Sequence, residues 1–333
     1  MRIDISHSGV MNLIRFLARS SVLPAVLAAI LLSALAAPRL LAKDDLAGLS
    51  SAEKYVLQEL IEGKEADLSP FPRDQRVLSN EFVQKLLTDG FRDPEIRRRG
   101  VAINKAIFKE TLEVSSMTVP YRVWLRSCDF DRGIDFSHTQ FASDLSLEFS
   151  QFGVSSPSDP SEAKNSDTQA FFEGMRVANE ADFSHSVSYV PVDFTGAEFG
   201  SDFFLQDVKY RSEVDFDDAT VEGPMSLIGD QFVGRLSIVN AELFELLLQD
   251  STAPIELDVS QTRIDHGATL KDVTLRSWKA ESLRAEGLVT LDHLKPDGTV
   301  DLAYAHFGDL IILDFQEWLK LKPDILNLRG FSF

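Results

Sequence analysis

Apolar residues recur along this chain at steps that alternate between five and six. One run is Ile103, Phe108, Val114, Val119, Leu125, Phe130, Phe136, Phe141, Leu147 and Phe152; a second is Phe194, Phe199, Leu205, Tyr210, Phe216, Val221, Leu227, Phe232, Ile238 and Leu243. No position in either run is polar. With 44% hydrophobic residues overall, ten consecutive matches arise by chance roughly once in several thousand trials, so the pattern is a fixed-period repeat. Two steps of each length make one period. Ala197, Ala219 and Ala241 recur at that interval, each two residues before a core residue, and Asp193 and Asp215 recur with it, each directly before a core Phe.

The period predicts an all-β solenoid whose coil has four short faces. One large apolar residue per face turns inward, a small residue two places earlier turns in beside it, and the residues between face water. Successive coils stack through backbone hydrogen bonds at about 4.8 Å. Phe108, Phe130 and Phe152 then form one internal column, and Phe194, Phe216 and Ile238 another.

The stretches 134–141 (Ile-Asp-Phe-Ser-His-Thr-Gln-Phe), 192–199 (Val-Asp-Phe-Thr-Gly-Ala-Glu-Phe) and 214–221 (Val-Asp-Phe-Asp-Asp-Ala-Thr-Val) resemble pentapeptide-repeat proteins. They are most similar to the divergent branch whose five-residue units are interrupted by six-residue ones. The resemblance implies a right-handed, four-sided (quadrilateral) β-helix. The order of leader, helices and repeat, with Arg-Arg-Gly-Val at 98–101 and Val-Trp-Leu-Arg-Ser-Cys-Asp-Phe at 123–130, also resembles uncharacterised exported bacterial proteins of this type. The chain departs from the family pattern in two ways. Asp-Phe largely replaces the Asn/Asp-Leu core signature, and the phase weakens after Leu243.

Residues 43–100 precede the repeat and read as a small α-helical cap. Ser50 and Glu53 have capping-box spacing ahead of Tyr55, Val56, Leu57, Leu60 and Ile61. Ser79 is a second N-cap, with Phe82, Val83, Leu86 and Leu87 on one stripe and Gly90 as the stop. Such helices would cover the apolar, unpaired edge of the first coil. The β-helix is expected over 101–333. A polar, Pro- and Ser-rich loop at about 153–170 interrupts it, stretching the step from Phe152 to Phe172. After Leu243 the repeat slips by one residue, returns at Val259, Ile264, Leu270 and Leu275, and reappears at Leu302, Phe307 and Leu313. Leu326 to Phe333 still reads as coil, which leaves two readings, an open terminal edge suited to homodimerisation or an incomplete chain.

Residues 1–42 read as a targeting segment. Arg15 and Arg19 precede an uncharged stretch from Ser20 to Pro38, and Ala36 and Ala42 both close plausible cleavage sites. A signal peptide and an uncut membrane tether through residues 20–38 are the two readings. Either places the body outside the cytoplasm, in the periplasm or cell envelope.

The formal charge is -19. That balance repels nucleic-acid backbone and anionic lipid and suits basic protein faces or cations. The single cysteine, Cys128, excludes an intramolecular disulfide and any multi-cysteine metal site. It falls at the small inward position, which predicts a buried, inert thiol. Arg97, Arg98 and Arg99 form the one dense basic patch, expected to bridge the cap to acids of the first coil.

Asp193 and Asp215, with Asp217 and Asp218 beside them, form the candidate interaction face. Stacked at about 5 Å, such carboxylates repel one another, and a basic partner or a Ca²⁺ would relieve them. No ordered oxygen-ligand spacing supports the metal, so no metal or other cofactor is assigned. His138 and His185 both follow Asp-Phe-Ser but are expected on opposite sides of the solenoid. No zinc-protease, phosphate-loop, dinucleotide or nucleophile-elbow motif is present, and no catalytic residue is assigned. The sequence therefore points to an exported scaffold that binds a protein partner through an acidic face. The alternatives are an envelope β-helix enzyme acting on polysaccharide with Ca²⁺ and, for a cytosolic chain, a DNA-mimicking topoisomerase inhibitor.

Overall fold

The computed structural model describes residues 48–154, 168–251, 253–313 and 325–333, and residues 49–333 fall in one compact unit. The leader at 1–42 lies outside the described residues, as does most of the 153–170 loop. No described helix is long and apolar enough to cross a membrane.

The molecule is a parallel β-solenoid with a short helical segment at its N-terminal end. Coils from Val101 onward each carry four short strands. Val101–Asn104, Ile107–Phe108, Leu112–Glu113 and Thr118–Val119 begin four columns that continue by parallel pairing with Val123–Arg126, Asp129–Phe130, Gly133–Asp135 and Gln140–Phe141. All twenty residues of the two apolar runs point inward and are at most 3% exposed. The expected columns form. Phe108 stacks on Phe130 at 4.8 Å and Phe130 on Phe152 at 5.5 Å, and Phe194 stacks on Phe216 at 4.6 Å.

The alternation of five and six has a physical cause in the corners. Every five-residue step contains a left-handed residue two places after the core residue: Ser116, His138, Gly196, Asp218 and Asn240 at one corner, and Lys105, Ser127, Phe149, Asp207 and Gly229 at another. These residues close β-turns, as in Thr139 N–H to Phe136 O at 3.0 Å and Ala197 N–H to Phe194 O at 2.9 Å. A positive φ at the third turn position is the type II requirement, and outside Gly it is best tolerated by Asn, Asp and His. The small inward residue, Ala197 or Ala219, is the fourth residue of the same turn. The six-residue steps make the wider corners.

The coil changes shape at Thr220. Strand Thr220–Ile228 joins what had been a fourth-column and a first-column strand, and the second column ends at Gln231–Phe232. Later coils carry two long strands each, such as Arg263–Lys271 with Thr274–Lys279 and Arg284–Asp292 with Lys295–Asp301. The slip after Leu243 is an irregularity between Leu243 and Glu245. Val259, Ile264, Leu270, Leu275, Leu302 and Phe307 are buried as expected, but Leu313 is 48% exposed and is no core residue. Ile325–Asn327 pairs with Thr299–Asp301, so this stretch is coil.

The cap follows from its end signals. Helix α1 (Ser51–Ile61) has the full capping box, and helix α2 (Asn80–Asp89) starts at Ser79 and stops at Gly90 with φ 59°. A third helix, α3 (Pro94–Arg99), begins at Asp93 and was not signalled by any apolar stripe. The buried carboxylate of Glu53 joins the two starts. It accepts from Ser50 N–H at 2.7 Å, from Ser79 N–H at 3.0 Å and from Ser79 Oγ at 2.5 Å. Burial opposes its ionisation, but these bonds win and hold it below the usual carboxylate range.

This segment meets all four columns of the first coil. Ala66–Asp67 pairs with Ile103–Asn104 and Val77 bridges to Ile107. Asn80 receives Glu113 N–H at 3.1 Å and donates to Thr111 O at 2.7 Å, while the Tyr121 hydroxyl donates to Leu86 O. The arginine patch behaves differently from expectation. Arg98 and Arg99 bind Glu95 of their own helix, and Arg99 also reaches Gly63 O at 2.9 Å. The link to the solenoid runs the other way, from Arg122 Nε to Arg99 O at 2.6 Å.

Candidate interaction face

The third column supplies the face. Its outward residues fall in register as Glu113, Asp135, Phe171, Asp193, Asp215, Ser237, Asp258, Lys279, Asp301 and Asn327. Asp193 and Asp215 are direct partners in adjacent strands, as the period required. Six acids in ten rungs make this an acidic strip, but the strip is not uniform. Asp258 has Arg235 at 4.0 Å and Lys279 at 3.9 Å. Among the described residues no base lies within ion-pair distance of Asp135, Asp193 or Asp215. The uncompensated stretch is therefore Asp135 to Asp215, with half-buried Phe171 between Asp135 and Asp193.

These aspartates also build the corner. Asp135 accepts Ser137 N–H, Asp193 accepts Thr195 N–H and Asp215 accepts Asp217 N–H, each at 2.9 Å through Oδ1. An Asp whose oxygen takes the N–H two residues on pre-forms the turn that follows. That role explains the Asp of the Asp-Phe pairs and was missed in the sequence, although the fixed Asp-Phe-x-x phase was its signal. The Asp215 carboxyl also lies within hydrogen-bonding reach of the Asp217 side chain.

Asp217 and Asp218 do not extend the strip as free carboxylates. Asp217 accepts Ser237 Oγ at 2.5 Å and Val239 N–H at 2.8 Å, and Asp218 accepts Asn240 Nδ2 at 2.6 Å. Both fasten the next coil. Burial raises Asp215 to about 6, and the Asp217 and Asp193 charges add to that rise.

His138 and His185 occupy different corners, both as left-handed turn residues, which accounts for the shared Asp-Phe-Ser-His phase. His185 stacks on Phe149 at 4.5 Å. Among the described residues no group of three or more His, Cys, Asp or Glu side chains is arranged to hold a metal ion.

Cys128 is fully buried, and burial pushes its thiol up to about 12. It sits at the small inward corner position, where its N–H donates to Ser150 Oγ at 3.1 Å. Thiolate is the nucleophile, so a disulfide reagent at pH 8 should leave the folded protein unlabelled and label one site after denaturation. Labelling of the native chain at the rate of a free thiol would contradict this placement.

Compared with protein-family models, curated proteins and solved structures, the chain matches none.

Proposed function

We propose that this chain is an exported, non-enzymatic scaffold of the pentapeptide-repeat type that docks a basic protein surface along its third column. The observation that carries the reading is the in-register Asp193–Asp215 pair, which has no base within ion-pair distance among the described residues; burial and like charge raise the Asp215 carboxyl to about 6. A lysine or arginine placed between the two carboxyl groups would relieve that repulsion. The flat, rigid strip suits a protein face better than a small ligand, because its residues lie in one line at the strand spacing. The acidic balance of the chain favours the same class of partner and disfavours anionic lipid. The leader supports a site of action outside the cytoplasm, with cleavage or tethering through residues 20–38 as the two forms.

The test is a pair of charge variants. Asn retains the Oδ1 acceptor of the turn, so Asp193→Asn with Asp215→Asn removes charge and leaves the corner bonded. Partners cross-linked in cells to a photoreactive residue at position 171, between the acids, should fall at least tenfold in yield in this variant. They should vanish in Asp193→Lys with Asp215→Lys, with the thermal midpoint of the Asn pair no lower than the parent's. Undiminished capture of the same partners would overturn the reading.

A further inference from the structure

The corner between the fourth and first columns is recessed. Its floor carries Ala142, Ala178 and Gly200, all exposed, over the backbone of Phe141, Val177 and Phe199. At Gly200 a Cβ would lie 2.4 Å from Ala178 O, so no side chain can rise there. The recess has a volume of about 320 Å³. A second recess of about 380 Å³ runs on from it, shares Thr220 and Glu222, and ends at Phe244, which stacks on His266 at 3.8 Å. Together they form one trough parallel to the stacking direction.

One wall is a register line of seven rungs: Thr118, Gln140, Arg176, Glu198, Thr220, Glu242 and Arg263. At about 4.8 Å per rung this spans roughly 29 Å, the reach of about nine extended residues. Charge on the wall is unequal. Arg176 is spent on Glu198 at 2.8 Å and Arg263 on Asp265 at 2.7 Å. Among the described residues Glu222 and Glu242 have no base within ion-pair distance. Two residues beyond the floor on the other side stand Asp144, Glu180 and Asp202. Burial, then the Asp182, Asp144, Asp202 and Glu148 charges, push Glu180 above the usual carboxylate range.

We propose that this trough binds an extended polypeptide segment in which basic and apolar side chains alternate. The apolar side chains meet the Ala142–Ala178–Gly200 floor, and the lysine or arginine side chains reach Glu222 and Glu242 on one side and Asp202 and Glu180 on the other. Length and an apolar floor select a chain over a free cation, and the sign of the walls selects a basic one. The trough lies on a different corner from the Asp193–Asp215 strip, so the two sites stand or fall separately.

The probe is a fluorescein-labelled nine-residue peptide alternating lysine and valine, titrated with the full chain by fluorescence anisotropy in 50 mM NaCl. Nine consecutive lysines serve as the charge control. Ala178→Phe fills the floor from an exposed position without changing charge and should weaken the alternating peptide at least tenfold. Glu222→Gln with Glu242→Gln should do the same, while Asp193→Asn with Asp215→Asn should leave its affinity within twofold. The all-lysine control should bind more weakly and be insensitive to Ala178→Phe. Thermal midpoints no more than 2 °C below the parent's verify the fold of each variant. Unchanged affinity in Ala178→Phe, or no measurable binding of the alternating peptide, overturns the trough proposal. Loss only in the Asp193/Asp215 variant overturns it too, while leaving the third-column reading in place.

Discussion

Replacing Asp230 with Ser should stabilise the protein, and the gain should grow with pH. Asp230 stands at the small inward position of a tight corner, where Ser150 stands three coils earlier and Asp230 itself is fully buried. Its Oδ1 accepts Val208 N–H at 3.0 Å, but Oδ2 has no hydrogen-bond partner among the described residues. Burial, with the Asp207 charge adding to it, raises the carboxyl to about 8. The unfolded chain loses this proton near the ordinary value of 3.8, and the folded chain keeps it to about 8. Between those limits the folded state binds more protons, so stability falls as pH rises. At 1.36 kcal/mol per pH unit the loss is bounded at about 6 kcal/mol. Ser150 shows why serine fits. Its Oγ accepts Cys128 N–H at 3.1 Å and donates to Leu125 O at 3.0 Å, the first of these being the same bond one coil back that Asp230 makes.

Thermal midpoints of parent and Asp230→Ser should therefore be close at pH 4.5 and diverge by roughly 5–10 °C at pH 9. Asp215, raised to about 6, adds a decline of the same sign that ends lower. The difference between the two proteins above pH 6 thus isolates Asp230. Parallel curves from pH 6 to pH 9 would show that the carboxylate is solvated in the native state.

Much of this fold is written in the spacing of its apolar residues. Each step between corners places one large side chain inward, so the twenty core positions, the columns and the two capped helices follow from period and end signals alone. The corner chemistry was harder to read. His138, His185 and Asp218 look like functional groups in the sequence, yet they hold left-handed backbone. Their meaning appears only when the five-residue steps are recognised as the tight ones. Helix α3 has six residues and no apolar stripe, so its start at Asp93 carries the whole signal. The joining of strands at Thr220 depends on a corner that opens at Glu222 to Pro224, a local geometry with no periodic mark. The trough is a pattern of missing side chains. Ala142 and Ala178 are rung neighbours although 36 residues separate them where a regular coil has 22, which register reveals and spacing hides. Of the candidate face, the stacking of Asp193 on Asp215 was legible, whereas the bonds that tie down Asp217 and Asp218 were not.

Truncating Phe194 to Ala should be the most damaging single change in the described core. Its ring is fully buried and stacks on Phe172 at 4.8 Å and Phe216 at 4.6 Å, with Phe183 at 5.1 Å and Phe203 at 5.4 Å set edge-on. Removing it leaves a ring-sized void bounded by other rings that are fixed by the coil backbone and cannot close in. A buried Phe→Ala change costs about 3–5 kcal/mol, toward the upper end where the site cannot collapse. Because each coil touches only its neighbours, the loss falls on the two interfaces that Phe194 spans and need not spread evenly through the solenoid. Hydrogen exchange should then accelerate first in Gln169–Phe171, Val192–Asp193 and Val214–Asp215, the third-column strands of those coils. Phe149 is the control: it is 56% exposed and, among the described aromatic neighbours, touches only the His185 ring, so Phe149→Ala should cost under about 1 kcal/mol. Equal denaturant midpoints for the two variants would mean that the aromatic column does not hold the coils together. A selective loss in Phe194→Ala would locate the cohesion of the solenoid in its stacked interior.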